Sequence, residues 1–376
     1  MKKILKTVIL KMFLAIIISV AVVFGITVGG IRLHRLNLSH RYSFDYLKGG
    51  ANKVILFVGD GMGDEHIKTT EAYYEKEIFF KNFEKHGHVS TSSLNVLKPT
   101  DSASAATAFA TGEKVHNKEI STLNLKELPT ITEEFKSLGL GVGLVSTDTL
   151  FSQTMAAFSS HTTNAQNTEE IINDQINSNI DLFLGSGRYM YSDYRLKFNE
   201  QGYHYYNNYR EIDINDNKIL GVFDELMDQK TNNTIPSLDI LTKIAVDFME
   251  KNFPEGYFLV IECGHIDIMT HKANIFEMME YLENFDKAVK ETYERLINDE
   301  NAAIIVTSTH ESGGVQYNGE TKDQINSMDI ITIDGHTLVD VPYYMHFNND
   351  LANSYFLPEI IDNTDIYKIC KALLSD

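Results

Sequence analysis

Cysteine is scarce: Cys263 and Cys370 are the only two in 376 residues. They form no metal-ligand spacing and could make at most one bridge, so a cysteine-ligated metal centre and a disulfide framework are both excluded. The redox compartment stays undecided. Positive charge is also in short supply. Lys and Arg total 33 against 52 Asp and Glu, a net charge of -19, and no Lys/Arg block occurs beyond the N-terminus, which argues against a nucleic-acid surface. The acidic excess reads as a solvated exterior. Internal repeats and low-complexity tracts are missing too. The length and the ordinary apolar fraction suffice for one large α/β domain or two smaller ones.

One long apolar run is present. Lys2, Lys3, Lys6 and Lys11 precede a stretch from Met12 to Ile31 broken only by Ser19, Thr27 and glycines, about the length that spans a bilayer. No small-x-small cleavage site stands before Arg32, so the stretch reads as an uncleaved anchor rather than a signal peptide. Arg32, Arg35 and Arg41 follow it, so charge bias sets the orientation weakly. The expected organisation is a basic cytoplasmic end (1–11), a single-pass anchor (12–31), a polar stalk (32–52) and a folded extracytoplasmic domain (53–376).

Within that domain, apolar runs keep ending in residues that carry chemistry. Lys53 to Val58 reads as a strand buried on both faces, and it exits into Gly59-Asp60-Gly61-Met62-Gly63. Val142 to Ser146 exits into a Ser/Thr-rich stretch containing Thr154. Tyr257 to Ile261 runs into Glu262 and then Asp267 and His271, which share one face if Ile266 onward is helical. Ala303 to Thr307 exits into Ser308-Thr309-His310-Glu311, and Gly335-His336-Thr337 precedes the apolar Val339 to Tyr343. The polar, Tyr- and Asn-rich segment from Tyr189 to Lys218 reads as surface decoration. Strands alternating with helices imply a mostly parallel central sheet with helices on both faces, which brings Asp60, Glu262 and His310 to one rim. Thr100, Asp101 and Ser102 are all N-cap types before a small-residue helix closed by Gly112, so Ser102 reads either as a cap or as a hydroxyl beside an anion-favouring helix start. The Gly-x-Ser-x-Gly elbow of serine hydrolases is absent around it.

Taken together, these residues resemble the alkaline phosphatase family over the whole folded part. Asp60-Gly61-Met62-Gly63, Thr100-Asp101-Ser102-Ala103, Gly185-Ser186-Gly187-Arg188, Glu262 through His271, and Gly335-His336-Thr337 with Asp340-Val341-Pro342 occur in the family's order. The resemblance implies phosphomonoester hydrolysis with Ser102 as nucleophile and a phosphoserine intermediate. It implies one zinc on Asp267, His271 and His336, a second on Asp60 and His310, and magnesium on Asp60, Thr154 and Glu262. It also admits a homodimer. Three departures stand out. Thr309 replaces a zinc-binding aspartate, Ala165 replaces the phosphate-gripping arginine, and Ser152 replaces an Asp or His that supports magnesium through its waters. Glu311 is the carboxylate closest in sequence to the missing aspartate. The departures leave open a non-catalytic relative that keeps one metal, or a metal hydrolase of phosphodiesters or sulfate esters.

Overall fold

Strand β1 (Lys53–Gly59) is buried along its whole length, and its side chains divide between two cores: Val54, Leu56 and Val58 enter one, Ile55 and Phe57 the other. A strand with two apolar faces needs cover on both, which is why its sequence is an unbroken apolar run rather than an alternation. The computed structural model describes residues 42–95, 97–224, 236–319, 321–325 and 330–374. The run from Met12 to Ile31 lies outside them. Among the described residues no helix is long and apolar enough to cross a membrane.

The remaining strands are β2 (Lys85–Ser90), β3 (Thr122–Leu123), β4 (Lys126–Glu127), β5 (Gly141–Thr149), β6 (Leu182–Ser186), β7 (His204–Tyr206), β8 (Ile219–Phe223), β9 (Tyr257–Cys263), β10 (Ala302–Thr307), β11 (Val341–Phe347) and β12 (Ile360–Asp362). β3 and β4 form a small hairpin, and the other ten form one sheet in the order β12-β2-β11-β10-β1-β9-β5-β6-β8-β7. From β10 to β7 every pairing is parallel. β11 runs antiparallel to both of its neighbours, so the sheet is mixed but mostly parallel, as the sequence suggested. The helices Asp64–Tyr74, Leu238–Asn252 and Ile275–Leu296 cover one face. Ser102–Thr111, Thr168–Asn177, Arg188–Glu200 and Asn363–Leu374 cover the other.

Two expectations change. The segment from Tyr189 to Lys218 is not decoration: it supplies most of a helix and edge strand β7, with Tyr191, Phe198 and Tyr203 buried. Their rings pack against one another and against Phe183, and burying a side chain of this size is worth about 1.5–3 kcal/mol. The stalk also ends earlier than expected, since Phe44, Leu47 and Ala51 are already in the core. Cys263 and Cys370 are free thiols in opposite cores, which rules out a bridge between them.

Candidate metal and nucleophile site

The parallel strands all deliver their C-terminal ends to one rim, and the chemistry collects there. Asp60 follows β1, and Glu262 is the penultimate residue of β9, in register with Val58 and Ser146. His310 lies three residues beyond β10, and Asp267 and His271 lie on the short helix His265–His271 just past β9.

Ser102 does not cap its helix. Asp101 does, accepting from the Ser104 amide at 2.9 Å, a cap worth about 1 kcal/mol. Ser102 is the first helical residue, and its hydroxyl is left to face the rim. Ser102 Oγ lies 3.0 and 3.2 Å from the two Asp60 oxygens and 3.1 Å from His310 Nε2. The small residues behind it let the helix sit deep: Ala103, Ala105, Ala106, Ala108 and Ala110 are all buried. Ser102 opens into a cleft of ≈ 390 Å³ that also contacts Asp60, Asp148, Ser152, Ala165 and Asp267. No Lys or Arg lines it.

Asp267, His271 and His336 converge as expected. His271 Nε2 is 3.2 Å from His336 Nε2 and 3.4 Å from Asp267 Oδ2, and His336 Nε2 is 3.9 Å from Asp267 Oδ1. Ligands about 2.0–2.2 Å from a tetrahedral zinc stand roughly 3.3–3.6 Å apart, so these donors fit one. Both histidines are oriented through their other nitrogen, His336 Nδ1 against the Thr100 carbonyl at 2.9 Å and His271 Nδ1 against Asp334 at 3.3 Å. Such outer contacts hold a ligand imidazole in place. Asp267 Oδ1 is buried without a hydrogen-bond partner.

The second expected pair, Asp60 and His310, is less complete. His310 stacks on His336 with ring centroids 3.6 Å apart. Ligand atoms of Asp267, His310 and His336 all fall within 4.8 Å of one another. Thr309, in the place of the missing carboxylate, donates its hydroxyl to Asp60 Oδ1, occupying an oxygen that a cation would need. Glu311 does not replace it: its two oxygens accept from Thr337 Oγ1 at 2.5 Å and the Val315 amide at 3.1 Å.

The third group, Asp60, Thr154 and Glu262, offers only hard oxygen donors, the set that suits magnesium. Ser146 Oγ donates to Glu262 Oε2 at 2.5 Å, and Ser152 approaches the same oxygen at 3.5 Å. Thr154 Oγ1 is fully buried beside Glu262 without a hydrogen bond of standard geometry. Burial first, and then the Asp148 charge, push the Glu262 carboxyl up to about 7. Burial, with Asp267 and Glu262 nearby, also raises Asp60 well above the usual carboxylate range. His310 is held neutral, chiefly by burial and by the neighbouring His336 and His271. Clustered carboxylates in a cleft that no Lys or Arg lines are a site that a cation would relieve.

Two cleft residues were not signalled by the sequence: Asp148, at the end of β5, and Gln153, whose Oε1 accepts from the Ala103 amide at 3.2 Å. Neither belongs to a motif, and only the packing of β5 against β9 brings them here. Arg188 is not a site residue, since it pairs with Asp224 at 2.8 Å on the surface.

A hydroxyl at a helix start, facing His and Asp donors at the strand ends of an α/β sheet, defines a metallohydrolase class of site. The chain belongs to the alkaline phosphatase family, whose sequence model matches residues 51–332. Alkaline phosphatases 4 and 3 of Bacillus subtilis are 29% and 30% identical to it, over 73% and 69% of this chain and 64% and 61% of theirs. The chain thus spans under two thirds of the length of these two relatives. Escherichia coli alkaline phosphatase is 26% identical over 86% of each chain. The alkaline phosphatase of the Antarctic bacterium TAB5 superposes with a TM-score of 0.74 at 26% identity, covering 86% of this chain and 98% of that one. A mutant of the TAB5 enzyme carries bound magnesium.

Proposed function

We propose that this chain hydrolyses phosphate monoesters through a phosphoserine at Ser102, at a site with one well-formed zinc position, one magnesium position and a weakened second zinc position. The observation that carries this reading is the placement of Ser102 Oγ within 3.2 Å of both Asp60 and His310 in a cleft shared with Asp267. Asp267, His271 and His336 would hold the first zinc, and Asp60, Thr154 and Glu262 the magnesium. Cations bound there supply charge neutralisation at the attacking and leaving oxygens.

The chain's own residues account for the rest. Ser102 Oγ attacks phosphorus; the Oγ–P bond forms, and the ester O–P bond breaks with the alcohol leaving. Asp60 and His310 are the groups in reach of the serine proton. Water then cleaves the phosphoserine, releasing phosphate and restoring Ser102. Ala165 offers only a methyl to the cleft, so phosphate is held without a bidentate clamp. Residues 12–31 would anchor the protein with this domain outside the cytoplasm, which protease accessibility of the domain in intact cells tests.

The functional test is hydrolysis of an aryl phosphate by the detergent-solubilised chain, beside an aryl phosphodiester and an aryl sulfate. Ser102→Ala is expected to cost on the order of 1,000-fold or more, and chelator should abolish turnover. Phosphate release insensitive to both would overturn the proposal. Inactivity with no more than one tightly bound ion per chain would establish a non-catalytic relative, a reading that the Thr309 to Asp60 hydrogen bond favours.

A further inference from the structure

Ser152 stands where the family resemblance calls for an Asp or His beside magnesium, and a serine brings no charge there. A different carboxylate, from β5, lines the same cleft. Asp148 lines the cleft with Asp60, Ser152 and Gly264. It is the eighth residue of β5, and β5 pairs in parallel with β9, putting Ser146 level with Glu262.

Two features show how closely the two carboxylates approach. Ser146 Oγ donates to Glu262 and accepts the Asp148 amide at 2.9 Å, so one hydroxyl holds both residues. Gly264 makes room between them. A Cβ there would lie 2.8 Å from Asp148 Cβ, 3.7 Å from Asp148 Cγ and 3.6 Å from Glu262 Cδ. A Cβ at 264 would therefore collide with Asp148 while standing in ordinary contact with the glutamate. A further observation concerns Thr154: its Oγ1 is wholly buried against Glu262 and makes no hydrogen bond of standard geometry. Buried hydroxyls are ordinarily satisfied, and this one would be satisfied as a ligand.

We propose that Asp148 is a supporting carboxylate of the hard-cation position formed by Asp60, Thr154 and Glu262, taking over at the end of β5 the role that Ser152 has lost. The inference rests on the metal reading given above. The ligand class is a small divalent cation that prefers oxygen and keeps part of its water shell, as magnesium does. A carboxylate that receives hydrogen bonds from such waters typically tunes metal affinity by 10- to 100-fold. The Asp148→Asn side chain keeps an oxygen to accept the Thr149 amide, which Asp148 Oδ1 now accepts at 2.6 Å, so the turn should survive the change.

The test is manganese binding, followed by electron paramagnetic resonance on the full-length chain loaded with zinc, with magnesium competition to confirm the site. Asp148→Asn is expected to weaken manganese binding by about 10-fold or more and to leave zinc content unchanged. Adding Ser152→Asp to that variant should restore most of the affinity, since it returns a carboxylate to the same cation from the neighbouring turn. Equal affinity in wild type and Asp148→Asn would overturn the proposal, as would a loss that Ser152→Asp fails to repair. Wild type binding no manganese or magnesium at all would instead sink the underlying metal reading.

Discussion

At the scale of single residues, the proposed function makes Thr309 and Ala165 the positions that would set how well the site works. Thr309→Asp would return a charged donor beside His310 and remove the hydroxyl that now donates to Asp60; zinc content should rise by one ion per chain, read by elemental analysis. Ala165→Arg is expected to tighten inorganic phosphate inhibition by roughly 30- to 150-fold, the equivalent of about 2–3 kcal/mol for a charged hydrogen bond. Gly61 is a third sensitive position. Its φ is +75°, and a Cβ would lie 2.5 Å from Ser312 Oγ and 2.7 Å from Asp267 Oδ1. Gly61→Ala should cost about 1–2 kcal/mol in backbone strain and push Asp267 off its histidines. A lower melting temperature together with weakened zinc binding checks this, and loss of one without the other would refute it.

At the scale of elements, the Ser160 to Ala165 loop is clamped by His161, whose ring nitrogens reach the Ser121 carbonyl at 3.0 Å and Glu133 at 3.1 Å. Burial pulls the His161 imidazole down, but Glu133 and the Ser121 carbonyl outweigh it and lift it to about 9. A histidine raised in the folded state stabilises fully below its unfolded value of about 6.5 and loses that contribution as pH rises through about 9. Between pH 6.5 and 9.5 the wild type should therefore lose roughly 1–2 kcal/mol that His161→Gln does not, a figure discounted because Glu133 is half exposed. Denaturant melts at the two pH values measure it. The elements around this loop also show what sequence reveals. β1, β9 and β10 were legible because strands buried on both faces must be continuous apolar runs. The helix Arg188–Glu200 was not, because only Tyr191 and Phe198 of its residues are buried, while Tyr189 and Leu196 face outward and break any apolar stripe. Asp148 was not legible either, since its place depends on how β5 pairs with β9. The reversal of β11 likewise leaves no mark in its own residues.

At the scale of the whole molecule, the site is a concentration of buried acid that the fold carries at a cost until cations arrive. Removing metal with chelator should lower the melting temperature by several degrees, and saturating zinc with magnesium should restore it, because ligands that bind only the folded chain stabilise it by mass action. A melting temperature indifferent to chelator would argue against a loaded site. The cleft wall has a kinetic consequence as well. Cations bound at the site would offset the Asp60, Asp148 and Asp267 carboxylates, but no Lys or Arg lines the cleft and the chain carries a net charge of -19, so the long-range field around the domain is expected to repel anionic esters. Enzymes that steer an oppositely charged substrate slow down as salt is added; here the encounter is between like charges, and added salt shortens the reach of the repulsion to about 10 Å at 0.1 M. For a dianionic monoester at low ionic strength kcat/KM should climb with added salt, and more steeply than for a monoanionic aryl phosphodiester.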